Sequence, residues 1–207
     1  SKDADALEVG HVYTLSVDRK KRELTMRNHS ATHLLQAALG KVLGGHVKQA
    51  GSSVGAERLR FDFTHMQALT QEEIQQVEAQ VNEQIRRAIP VVACEMSKDD
   101  AQKKGAVALF GEKYGDKVRV LEMGDYSMEL CGGTHVSNTA DIGLFVITLE
   151  TSLSNGVRRI EATTSETAMN YLTQRSLALK AIERSLSLSY DKIPERLEAM
   201  GQEVRAK

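Results

Sequence analysis

The chain holds 207 residues, with 27 basic and 28 acidic side chains, a formal net charge of −1, 41% hydrophobic and 27% charged residues. That is room for one large domain, or one domain and an appendage, and the composition excludes a disordered chain. The even charge balance excludes general polyanion binding, and 4% aromatics with no Trp argue against a base-stacking platform.

Along the first stretch, Tyr13, Leu15 and Val17 alternate as on one strand face, and Asp18 stands where a helix N-cap belongs. Leu24, Ala31, Leu35, Ala38 and Val42 then recur at helical spacing up to Gly44-Gly45. The run Arg19-Lys20-Lys21-Arg22 falls in the first turns of that helix and reads as a solvated face in preference to a nucleic-acid contact. Leu59, Phe61 and Phe63 alternate with charged residues as in a half-buried strand. Thr70 and Glu73 form a capping box for a second helix striped by Ile74, Val77, Val81, Ile85 and Ala88, which Pro90 stops. A strand over 91–96, a short helix from Ser97 to Gly105, and strands over 106–110, 117–123 and 128–130 follow. Residues 143–150 and 157–164 read as a hairpin around Ser154-Asn155-Gly156. Two helices among at least six strands, with few βαβ units, predict an α+β fold with a mainly antiparallel sheet. The tail differs: Leu172, Leu179, Leu186, Ile193 and Met200 recur every seven residues, and Pro194 divides the pattern into two helical segments suited to helix–helix packing.

The start of the chain does not have the form of a signal peptide, and no apolar run nears the ~20 residues of a membrane span. Two cysteines, Cys94 and Cys131, make no disulfide framework, so a reducing cytoplasm is expected. His29 and His33, four apart in the first helix, put two imidazoles on one face, as a bidentate metal grip requires. Cys131-Gly-Gly-Thr-His135 offers a thiolate and a third imidazole across a turn that its glycines permit. Sulfur with imidazole suits zinc. Ser30 follows His29 where a metalloprotease would carry Glu, which excludes that chemistry. Spacing leaves open whether four ligands close the zinc or three leave a place for water. His11, His46, His65 and Cys94 are read as structural.

The segments Asn28-His-Ser-Ala-Thr-His-Leu-Leu35 and Cys131-Gly-Gly-Thr-His135 resemble the editing domain of alanyl-tRNA synthetases, a zinc-containing module related to the second additional domain of threonyl-tRNA synthetase. Gln49-Ala-Gly-Ser-Ser-Val54, Leu59-Arg-Phe-Asp-Phe63, the stretch 108–116 and Gly156-Val-Arg-Arg-Ile-Glu-Ala162 add to the resemblance, which runs from about Val12 to the C-terminus. It implies hydrolysis of tRNA(Ala) mischarged with serine or glycine, with Zn2+ held by His29, His33, Cys131 and His135. Thr32, Gln49 and Ser52 would form the amino-acid pocket, Gln49 also orienting water or the ester. Taken alone, a hydroxyl at Thr32 inside a helix bonds back to its own turn. Arg158 or Arg159 is a candidate tRNA contact, but not both, since neighbours in a strand face opposite ways.

The same resemblance divides the chain into the last strand of a preceding small β-barrel (1–17), a zinc-containing editing domain (18–164) and a helical linker toward a C-terminal domain (165–207). Nothing in the sequence resembles an aminoacylation domain with its ATP site, so an excised fragment of a larger cytoplasmic ligase is expected, partnered by tRNA(Ala) and that ligase's other domains, with no membrane. A free-standing trans-editing protein is the nearest alternative. A non-catalytic, zinc-stapled binding module is another, and a thiol hydrolase using Cys131 with His135 a third.

Overall fold

The computed structural model describes residues 9–108 and 115–205. Its axis is helix α1 (Arg19–Leu43), begun by Asp18, whose carboxylate accepts from the Lys21 amide at 3.0 Å, and ended at Gly44 with φ 113°. Strands β1 (Gln49–Val54) and β2 (Leu59–Thr64) make a hairpin, and α2 (Gln71–Arg86) opens on the Thr70–Glu73 capping box. Strand β3 (Val91–Ser97), helix α3 (Lys98–Lys103), β4 (Lys117–Met123) and β5 (Ser127–Leu130) come next. A 3-10 turn at Thr139–Ile142 leads to β6 (Phe145–Ser154) and β7 (Val157–Thr164), and the chain ends in α4 (Ser165–Leu186) and α5 (Ile193–Arg205).

The fold class is α+β, a mainly antiparallel architecture packed with one long metal-facing helix and a second long helix, with a helical C-terminal extension. The strands divide between two sheets, β1-β2-β7-β6 and β3-β4-β5, both antiparallel. Leu59, Phe61, Phe63, Ile160 and Ala162 point from the first sheet onto Leu34, Leu35, Ala38 and Leu39 of α1 and Val77 and Val81 of α2, all fully buried. Leu121 and Met123 of the second sheet close this core. The other face of that sheet packs Val118, Val120 and Leu130 against Ala101 of α3. Elements on several sides of α1 explain why its middle is buried more widely than the single predicted stripe.

Three expectations change. No strand occurs over residues 9–18; the alternation of Tyr13, Leu15 and Val17 has no neighbouring strand, and neither sheet reaches it. The predicted strand over 106–110 reduces, in its described part, to a parallel bridge between Val107 and Glu129, residues 109 and 110 lying outside the described residues. Helix α2 ends at Arg86, before Pro90, because Ala88 turns the chain at φ 50°. In the tail, Pro194 sits in the first turn of α5, where its missing N–H costs nothing. Ala168 and Ile193 are its buried apolar residues, while Leu172, Leu179 and Met200 keep 41%, 39% and 37% exposure. No described helix is long and apolar enough to cross a membrane.

Candidate metal centre

Helix α1 and the loop after β5 bring His29, His33, Cys131 and His135 to one point, with one ligand atom from each within 4.8 Å of the others. Cys131 Sγ lies 3.5 Å from His29 Nε2 and 3.2 Å from His135 Nε2. Such separations suit the edges of a tetrahedron around an ion with bonds of about 2.0–2.3 Å. Among the described residues His33 Nε2 is buried with no hydrogen-bond partner, and a cation at the cluster would satisfy it.

Each histidine is oriented through its other nitrogen. His29 Nδ1 donates to the Thr134 carbonyl at 3.2 Å, His33 Nδ1 to Glu129 Oε2 at 2.7 Å, and His135 Nδ1 meets Ser30 Oγ at 3.2 Å. With Nδ1 so held, the Nε2 atoms are left for the cluster, ready to bind a metal once they give up any proton. Arg119 of β4 fixes the loop, its Nη1 donating to the carbonyls of Cys131 at 2.7 Å and Gly133 at 2.9 Å. Burial pushes the Cys131 thiol up, but hydrogen bonds from His135, His29 and His33 and from the Gly133 backbone outweigh it and bring the thiol down to about 3. Burial pushes His33 down, and the neighbouring Cys131 sulfur and Glu129 carboxylate overcome this to raise it to about 9. Burial, with the charges of His29 and His33, lowers His135 to about 4 against the pull of Cys131. The surrounding imidazoles thus favour the thiolate that a metal needs.

Glu129, Arg119 and Ser30 are absent from the sequence-based site. A signal for Glu129 existed: residues 127, 129 and 131 share one face of a strand running into Cys131. Because a carboxylate behind a ligating histidine sets its orientation and basicity, Glu129→Gln is expected to weaken metal binding about 10-fold and Glu129→Ala about 100-fold. Competition with a chromophoric chelator measures both.

Thr32, Gln49 and Ser52, the residues expected to form a pocket, lie on α1 and β1. Thr32 is buried on α1 beside His33, and its hydroxyl donates to the Asn28 carbonyl at 2.8 Å, the local bond expected of a helical Thr. Gln49 pairs with Phe63 and Ser52 with Phe61, with a register shift between Gln49 and Gly51. Three residues apart in a regular strand, they would face opposite ways. The bulge puts both on the face of Phe61 and Phe63, Gln49 half-buried and Ser52 exposed. Arg158 and Arg159 do face opposite ways, and both are held in two-pronged ion pairs: Arg158 to Glu150 at 2.6 and 2.7 Å, Arg159 to Asp62 at 2.6 and 2.8 Å. Their paired donors are used inside the sheet. His46 and His65 hydrogen-bond to each other at 2.9 Å, away from the cluster. Both cysteines are free thiols.

Residues 118–161 match the family model described as the threonyl and alanyl tRNA synthetase second additional domain, a span containing Cys131 and His135 but not His29 and His33. An alanine–tRNA ligase 1 of Lachnoclostridium phytofermentans is 52% identical over 200 residues, covering 97% of this chain and 23% of that protein. An alanine–tRNA ligase of Petrotoga mobilis is 50% identical over 200 residues with the same coverage. One of Thermotoga maritima is 52% identical over 199 residues, 96% of this chain and 23% of its own length. The chain thus spans less than a quarter of the relatives it matches.

Proposed function

Since the chain belongs to the family of the threonyl and alanyl tRNA synthetase second additional domain and matches one segment of alanine–tRNA ligases, we propose that it is an editing unit that hydrolyses the ester of seryl- or glycyl-tRNA(Ala). The observation that carries this reading is the convergence of His29, His33, Cys131 and His135 with their ring orientations set. Within a whole ligase, residues 18–164 make the editing unit and 165–207 a helical connection toward a further domain, with tRNA(Ala) and the aminoacylation domain as partners.

His29, His33, Cys131 and His135 would hold Zn2+, which when bound would supply a positive charge for the amino group of the ester or for a water. Water adds its oxygen to the ester carbon, the bond to the ribose oxygen breaks, and that oxygen takes a proton given up by the water, leaving free amino acid and tRNA. Gln49 holds the water or the ester carbonyl. Thr32 gives its proton to the Asn28 carbonyl, so toward a substrate it acts as an acceptor and takes the hydroxyl proton of a seryl group. Ser52 shares that role. An aminoacylation pocket rejects serine or glycine by only ~1–3 kcal/mol, which is why a second site is needed. Alanine offers no hydroxyl to these groups, so their hydrogen bonds favour serine. Glycine enters by its size.

A second reading draws on the donor count. Four ligands can saturate zinc and make the centre a staple with no chemistry of its own. Turnover separates the two. The chain is expected to release serine from seryl-tRNA(Ala) at least 10-fold faster than alanine from alanyl-tRNA(Ala), in a quenched time course of each. Equal rates for the two esters, or none from either with zinc bound, would leave the staple as the better account.

A further inference from the structure

We propose that the cleft between the start of α1 and the β1–β2 hairpin binds a backbone phosphate of the RNA strand that carries the ester, with Lys21 and Arg60 as its cations; this rests on the editing function above. The cleft measures about 490 Å3, with Lys21 on one side, Ser53 and Arg60 on the other, and Glu57 and Arg58 at the hairpin end. Three cations thus meet one carboxylate.

Arg60 carries the argument. It stands opposite Glu161 across the β2–β7 pairing, but Glu161 is already taken by Arg58 at 2.8 Å. Arg158 and Arg159 have their own carboxylates, Glu150 and Asp62. Among the described residues Arg60 is the one arginine of β2 and β7 with none, and its buried Nε has no hydrogen-bond partner. Arg60 itself is half-buried and lines the cleft, so its charge, with no carboxylate partner, favours an anionic oxygen there.

Lys21 adds a second, mobile cation. It belongs to the first turn of α1, whose residues include no acid, although the Asp18 carboxylate caps that end by accepting from the Lys21 amide. The basic run read from sequence as a solvated face thus has one member lining a cleft. Against a free carboxylate or inorganic phosphate, position favours the RNA strand. Lys21 precedes His29 by eight residues on one helix, about 12 Å at ~1.5 Å per residue. That is the span of three or four stacked nucleotides at ~3.4 Å each. A strand whose terminal ester sits at the metal centre passes its phosphates over this cleft.

The probe is an uncharged, fluorescently labelled RNA hairpin with the tRNA(Ala) acceptor stem and a single-stranded CCA end, titrated with the 207-residue chain by anisotropy from 50 to 200 mM KCl. Lys21→Ala and Arg60→Gln are each expected to weaken binding about 3- to 10-fold and to flatten the slope of log affinity against log salt by about one. Lys180→Ala, on the exposed side of α4, leaves both unchanged. Lys21 is exposed, so its variant keeps the test valid if Arg60→Gln misfolds. Wild-type affinity and slope in Lys21→Ala, or no RNA binding by the wild type, overturns the cleft. Seryl-ester hydrolysis by the same wild-type preparation judges the editing function separately.

Discussion

Gly133→Ala empties the metal centre. A Cβ at this position stands 2.7 Å from His29 Nδ1 and closer still to Cε1, so ring and methyl cannot share the space. Neither side can give way freely. The His29 ring is tied by Nδ1 to the Thr134 carbonyl, and the Gly133 carbonyl is tied to Arg119. The ring must leave, taking one ligand with it, and its 3.5 Å contact with Cys131 Sγ is lost. The expected fall in zinc affinity is about 100-fold or more, read by chelator competition. Gly132→Ala is the control, because a Cβ there meets nothing within 4 Å and its affinity stays at the wild-type value. Equal affinities for the two variants would show that His29 does not hold the metal.

Asn28→Ala is expected to destabilise the fold by about 2–3 kcal/mol. The side chain is 1% exposed and joins three elements: Nδ2 donates to the carbonyls of Gly55 at 2.8 Å and Ala56 at 3.2 Å, and Oδ1 accepts from Thr164 Oγ1 at 2.8 Å. It fixes the roll of α1 against the β1–β2 hairpin and the end of β7, one residue before His29. Removing it leaves the Thr164 hydroxyl and the Ala56 carbonyl short of partners, and for a chain of this size lowers the melting temperature by about 5–10 °C. Guanidinium unfolding followed by circular dichroism gives the free energy. A change below about 0.5 kcal/mol would mean that water replaces the bonds and the helix is positioned by its apolar contacts alone.

What the sequence made legible follows the range of the forces involved. Helix α1 was bounded by Asp18 and Gly44, and α2 opened by Thr70 and Glu73, because caps act within three or four residues. The four clustered residues were legible because each pair is itself local, His29 with His33 on one helix and Cys131 with His135 across one turn. Strand β1 was not legible as a strand: Gly51, Ser52 and Ser53 have little strand preference, and the segment is held by its pairing with β2, bulge included. Nor was the support of the centre, since Glu129 reaches His33 across 96 residues and Arg119 reaches the loop from another strand. The alternation of Tyr13, Leu15 and Val17 forms no strand over the described residues 9–18 for the converse reason. The pattern is real, but a strand exists only beside a neighbour.

The central claim is one metal held by one thiolate and the imidazoles of α1 and the loop. Zinc K-edge X-ray absorption on the zinc-loaded chain tests it most directly. The account predicts a single sulfur at about 2.3 Å with nitrogen neighbours at about 2.0–2.1 Å, and loss of the sulfur shell in Cys131→Ala. A spectrum with no sulfur, or one left unchanged by Cys131→Ala, would contradict it.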